Sequence, residues 1–279
     1  MRVLLKRLSK MIIGYGAVQW AGPVISLLFT KIITQIALPA DYGSAGLIYA
    51  FTTGIAAFAL YTVPQALVTH YNDYDDVIWK RHMAGSALLS SVAFGLITGA
   101  AILLFAPLIT STITNNVADV PLVRLSAPLV LVLVTSGVLT SVSQAAMRVR
   151  WGMLFSLTAI LASILSNVML IVVFKLPTVG IVLAPVVSSS AVCLVALVVA
   201  RPLFAWPTRA SLGLLLRSAI WLLPTALSLW ALNSSDRLFL AQARVVDRAD
   251  MGHYEIAVKI ASLLGVLMAP LYSAITPLA

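Results

Sequence analysis

The run WGMLFSLTAILASILSNVMLIVVF, Trp151 to Phe174, lies between Arg150 and Lys175 and contains no ionisable residue. A helix rises about 1.5 Å per residue, so roughly 20 apolar residues cross the ~30 Å hydrocarbon core of a bilayer. This run is long enough to span as a helix. In hydrocarbon every backbone N–H and C=O needs an internal partner, which an isolated helix supplies and an isolated strand does not.

Working outward, the same pattern recurs to give eight apolar stretches, at 11–37, 44–68, 84–111, 123–146, 152–174, 179–200, 213–240 and 252–275. The chain therefore reads as an all-α, polytopic membrane protein. Hydrophobic residues make up 61% and charged residues 10%, with mean hydropathy +1.04, outside the balance of a water-soluble domain. The net charge of +9 would point to nucleic acid in a soluble chain. Here the cations fall mostly between the spans and orient the protein, so no nucleic-acid partner is expected.

The head Met1 to Lys10 carries Arg2, Lys6, Arg7 and Lys10, but no small-x-small cleavage site follows the first apolar run, so it reads as a retained first helix. With a cytoplasmic N-terminus, one side gathers those four charges with Lys80, Arg81, Arg148, Arg150, Arg201, Arg209 and Arg217. The other side gathers Arg124, Lys175, Arg237, Arg244 and Arg248. This bias satisfies the positive-inside rule and predicts two cytoplasmic termini in a cytoplasmic (inner) membrane. The single Cys193 sits within an apolar run and is expected to be a small packing residue.

The longest polar loop, His70 to His82, holds Asp73, Asp75 and Asp76. Such a group can hold a divalent ion for a glycosyltransferase, but such sites are rare among charged loops, so a solvated cytoplasmic turn and no metal site are expected. Asp41-Tyr42-Gly43 and Asp250-Met251-Gly252 each open a span, and each follows a span containing a proline, Pro23 or Pro224. This echo pairs the first and seventh spans and divides the chain near Pro207. Residues 1–207 are then a six-helix lobe and 208–279 the first two helices of a second.

Leu38-Pro39-Ala40-Asp41-Tyr42-Gly43 with Tyr49-Ala50, and Asp236-Arg237-Leu238-Phe239-Leu240 with Gly252-His253-Tyr254 and Ala257-Val258-Lys259-Ile260, resemble the Wzx-type polysaccharide (O-antigen) flippases. These belong to the MOP superfamily and are related to MATE exporters. The resemblance implies two six-helix lobes around a central cavity, and transfer of an isoprenoid-pyrophosphate-linked oligosaccharide between leaflets for lipopolysaccharide-type surface polymers. It implies the bilayer and other polysaccharide-assembly membrane proteins as partners. Against that pattern the chain is expected to be truncated in its second lobe, and its second span lacks the cation that the family carries there.

Ionisable groups within spans are costly, and each is a functional candidate. On the first span Gln19, Ser26, Thr30, Lys31, Thr34 and Gln35 share one stripe, placing Lys31 and Gln35 on a polar face. On the eighth, Glu255 and Lys259 stand four apart with the acid first, the favourable order for a local ion pair. Asp236 and Arg237 are adjacent, cannot face each other, and need other partners. The expected substrate-binding residues are Lys31, Gln35, Arg237 and Lys259, which lower the cost of passing a pyrophosphate through a low-dielectric core. Glu255, Asp236 and Asp41 are the acids available for ion coupling.

Two other readings stay open. A MATE-like exporter of cations shares the fold but suits a net-negative cavity, whereas lysines outnumber acids within these spans. A membrane-embedded polysaccharide-processing enzyme needs a catalytic cluster, and His70, His82 and His253 are scattered. No nucleophile and base pair, zinc set, P-loop or dinucleotide fingerprint is present. Neither catalysis nor a cofactor is therefore expected.

Overall fold

The computed structural model describes residues 30–32, 34–36, 38–114, 116–242 and 247–266. Most of the first expected span, and the eighth beyond Val266, lie outside the described residues. So do Pro23 and Arg244.

Among the described residues from Pro39 on, eight α-helices follow in order: α1 Pro39–Leu60, α2 Val63–Tyr71, α3 Val77–Ile113, α4 Val120–Ala145, α5 Val149–Asn167, α6 Pro177–Ala200, α7 Arg209–Gln242 and α8 Arg248–Val266. No strand occurs among the described residues. Six helical segments there are long and apolar enough to cross a membrane: Pro39–Tyr71, Val77–Ile113, Val117–Ala145, Val149–Val173, Pro177–Leu203 and Arg209–Ala241. They match the second to seventh expected spans. α8 opens the eighth, and helical residues 30–32 and 34–36 belong to the first.

Helix ends follow local chemistry. Pro39 and Pro177 stand at the starts of α1 and α6, where the absent N–H is no loss. The Asp76 side chain accepts from the Ile78 N–H at 2.8 Å and caps α3, satisfying one of the orphan donors of a first turn. Consequently α3 begins at Val77 and takes in Lys80, Arg81 and His82, and the expected thirteen-position loop shrinks to Asn72–Asp76. The three aspartates have separate tasks: Asp73 pairs with His70 at 2.6 Å, Asp75 with Lys80 at 3.1 Å, and Asp76 caps.

Two irregularities interrupt the spans. The second breaks at Tyr61–Thr62, because Pro64 has no N–H for the Leu60 carbonyl and its ring crowds it. Thr62 turns its hydroxyl to the Phe58 carbonyl at 2.6 Å. The fifth ends in a π-helical turn, Val168–Val173, closed by Lys175 at φ 54°.

One end of the bundle carries the start of α1 and of α8, and the other carries His70–His82. The linker between α6 and α7 lies at the His82 end, where Ala205 N–H donates to the Arg81 carbonyl at 3.1 Å and His82 Nδ1 meets the Trp206 carbonyl at 2.6 Å. The element order places Lys80, Arg81, Arg148, Arg150, Arg201 and Arg209 at that end. The core around Leu67, Met83, Ile102, Val130 and Val134 joins α2, α3 and α4. Leu154, Leu157, Leu161 and Leu165 form an exposed stripe on α5, the surface that lipid covers. Cys193 is a buried packing residue against Phe155 and Ala196.

α1 is the hub. It packs against α4, α6, α7 and α8 through small buried residues such as Ala45, Ala50, Ala56 and Ala57, which allow helices to approach closely. α1 and α8, the two helices opened by the Asp-Tyr-Gly and Asp-Met-Gly echoes, lie side by side. They start at the same end: a Cβ placed on Gly252 would stand 2.1 Å from the Pro39 carbonyl oxygen.

Candidate functional site

The intramembrane charges converge where α1, α7 and α8 meet. Arg237, on α7, forms an ion pair with Glu255, on α8, at 3.0 Å, with side chains 15% and 11% exposed. The Arg237 Nε–H does not lie along a hydrogen-bond line to the carboxylate, so the attraction is chiefly between charges. Glu255 fits because position 46 is glycine: a Cβ there would lie 2.6 Å from the Glu255 Cγ. A carboxylate and a guanidinium removed from water cost several kcal/mol each, and their pairing offsets that cost.

The neighbouring carboxylate is also engaged. Asp236 accepts one hydrogen bond from the Tyr254 hydroxyl and another from the Arg237 backbone N–H at 2.9 Å. Thus Asp236 and Arg237, adjacent in sequence, each find a partner on α8.

Lys259 lies about 16 Å along α8 from Arg248 by helix rise. Its side chain leans back toward the start of the helix, as helical side chains do. Its ammonium donates to the Tyr42 hydroxyl at 2.6 Å and to Thr30 Oγ1 at 3.3 Å, and lies 5.3 Å from the Tyr42 ring centroid. Across helices, Glu255 pairs with Arg237 and Lys259 donates to Tyr42 and Thr30.

Lys259 therefore ties together the first span, α1 and α8. Lys31 and Gln35 are exposed on the helical piece that carries Thr30, and Thr34 bonds back to the Lys31 carbonyl at 3.0 Å. Asp41 is half-buried in the first turn of α1, where a negative charge suits the helix dipole. The structure thus brings Asp236, Arg237, Glu255 and Lys259 into one cluster, with Asp41 one residue from Tyr42 and Lys31 one residue from Thr30.

Tyr42 and Tyr254 join the cluster although hydropathy gives no sign of them. Their signal was positional: each stands within the motifs that open α1 and α8. Among the described residues two cations and two carboxylates make up the cluster.

The sequence profile of the family described as "Polysaccharide biosynthesis protein" matches residues 8–279. No curated protein matches the chain. Among solved structures, the fold is similar to an inward-facing multidrug resistance MATE family transporter of the MOP superfamily, at TM-score 0.70 and 17% identity, over 93% of this chain and 63% of that one. A MATE transporter in complex with MaD3S aligns at TM-score 0.72 and 16% identity, over 97% of this chain and 65% of that one. A MOP superfamily transporter from Pyrococcus furiosus, described by a binding pocket of reverse polarity, aligns at TM-score 0.63 and 14% identity, over 96% and 67%. These likenesses establish a MATE-like, all-α membrane fold. The chain spans just under two thirds of the length of the first two transporters.

Proposed function

The chain belongs to the polysaccharide biosynthesis protein family, and from that membership we propose that it flips an isoprenoid-pyrophosphate-linked oligosaccharide from the cytoplasmic to the outer leaflet of the inner membrane. The observation that carries this reading is the pair of cations, Arg237 and Lys259, held at the meeting of α1, α7 and α8. A pyrophosphate crossing the low-dielectric core needs positive groups that are fixed before it arrives. Arg237 offers a planar fork for phosphate oxygens, and Lys259 a point charge presently resting on hydroxyls. Lys31 and Gln35, exposed beside Thr30, extend the polar surface.

In this reading residues 1–207 form one lobe and 208–279 begin another, and the α1/α8 contact is the seam along which they move. Glu255 holds Arg237 when no substrate is present. Protonation or ion binding at Glu255 frees the guanidinium for the headgroup, and Asp236 with Tyr254 keeps α7 and α8 in register while it does so. Asp41 is a further site where an ion can bias the seam. The reaction changes the position of the substrate and none of its bonds.

Replacing Lys259 by methionine or Lys31 by alanine tests the cationic path. Each loses charge-assisted contacts worth about 1.5–3 kcal/mol, so delivery of lipid-linked sugar in a flippase-deficient host should fall by about 10- to 100-fold, with insertion intact. Delivery at wild-type rate removes the altered residue from the path. Glu255→Gln keeps the shape but not the charge, and transport should then lose its response to an imposed proton or sodium gradient. A full response would assign Glu255 to structure alone.

One observation favours a second reading, a MATE-like exporter of small cations: Asp236 and Glu255 lie in the same cluster as the two cations. Transport of a lipophilic cationic dye, with no movement of a pyrophosphate-linked lipid, would select it.

A further inference from the structure

A second polar feature lies apart from the charge cluster, toward the His82 end. A cavity of about 380 Å³ opens between the end of α1, α2, α4, α5 and α6. Its wall bears Ser136, Thr140 and Ser141 from α4, Ser156 from α5, and Ser188 and Ser189 from α6, and no charged residue.

Hydroxyls on membrane helices ordinarily bond back to their own helix. Ser136, Thr140 and Ser188 do so, to the carbonyls of Leu133, Ser136 and Pro185 at 3.0, 2.8 and 3.1 Å. Ser141, Ser156 and Ser189 bond to no described residue. The cavity thus presents three uncommitted donors from three different helices. Their opposite number on α5 is the lipid-facing leucine stripe, so Ser156 is on the side turned away from lipid. Phe155, 1% exposed, and Leu60 add apolar surface to the wall.

The chemistry of this wall narrows the occupant. A metal cation finds no carboxylate there and an anion finds no cation. Convergent neutral hydroxyls beside an aromatic ring and aliphatic groups match a ligand that alternates O–H with C–H surface. The volume lies within the range of small-ligand sites.

Position adds a second constraint. Leu60, on the cavity wall, and Gly46, against Glu255, both lie on α1 and are close to four turns apart. They therefore share one helix face, about 20 Å apart along the axis. A ligand that engages both places must therefore extend about that far.

We propose that this cavity binds a neutral sugar ring of the transported glycan while the pyrophosphate engages Arg237 and Lys259. The assignment rests on the flippase reading above, since that supplies a ligand with an anionic centre and a polyhydroxyl chain. Ser141, Ser156 and Ser189 bond the sugar hydroxyls, and Leu60 borders its C–H face.

The test uses the full chain in lipid nanodiscs and the variant Ser141→Ala/Ser156→Ala/Ser189→Ala, which keeps helix-favouring residues throughout. Three probes are titrated: isoprenyl pyrophosphate, the same carrier bearing a disaccharide, and the free disaccharide. The variant should bind the glycosylated carrier about tenfold more weakly, as lost hydrogen bonds to the sugar require, and the bare carrier unchanged. Equal affinity for the glycosylated carrier would mean that the cavity holds water alone and would overturn the proposal. Equal weakening for both carriers would overturn it also, by showing a general disturbance. If neither carrier binds the wild-type chain, yet the free disaccharide binds it and not the variant, the sugar site stands and the flippase reading falls.

Discussion

Replacing Glu255 by alanine should lower the stability of the protein by about 3–5 kcal/mol, the cost of leaving a buried charge without its partner. Arg237 is then enclosed between α1, α7 and α8 with its ion pair gone. The double variant Arg237→Leu/Glu255→Leu removes both charges and restores apolar packing, so it should recover most of the lost stability. Thermal unfolding of detergent-solubilised protein reads the three variants side by side. Transport separates the two roles of the pair: the double variant should be stable and inactive. A stable, fully active double variant would make the pair dispensable.

The second large effect is expected at the α1/α8 seam. A Cβ on Gly252 would stand 2.1 Å from the Pro39 oxygen and 2.8 Å from its carbonyl carbon. Both atoms are backbone, and no rotamer change relieves the overlap. Gly252→Val must push α8 off α1, which separates Glu255 from its space at Gly46 and Lys259 from Tyr42. Overpacking alone costs about 1–3 kcal/mol, and the broken contacts add to it. Gly213→Ala is the matched control, because nothing lies within 4 Å of its Cβ and alanine favours helix. Folded yield by size-exclusion profile should collapse for the first and hold for the second. Equal yields would mean that the seam is looser than the Gly252 contact indicates.

The membrane class was legible because hydrocarbon thickness and backbone satisfaction act on every span alike, and Trp151–Phe174 alone suffices to see it. Helix ends were less so. Lys80, Arg81 and His82 are charged or polar, yet continue α3, since a helix extends past the hydrocarbon once Asp76 caps its start. The break before Pro64 lay inside an apolar run, where hydropathy carries no trace of it.

The charge cluster was half legible. Adjacent Asp236 and Arg237 had to find other partners by helix geometry alone, and both did. The contact of Glu255 with Arg237 joins two helices, which the local i to i+4 rule does not display. Tyr42 and Tyr254 gave no compositional signal. They matter because Tyr42 accepts from Lys259 and Tyr254 donates to Asp236.

The central claim is that Arg237 and Lys259 carry a pyrophosphate-linked glycan across the bilayer. It is tested most directly in proteoliposomes holding the full chain, by timing how fast a fluorescent isoprenyl-pyrophosphate oligosaccharide becomes accessible on the far leaflet. The wild-type chain should move it well above protein-free vesicles, and Lys259→Met should return the rate to that background. Movement at the same rate in the variant, or none in the wild type while a cationic dye crosses, would contradict it.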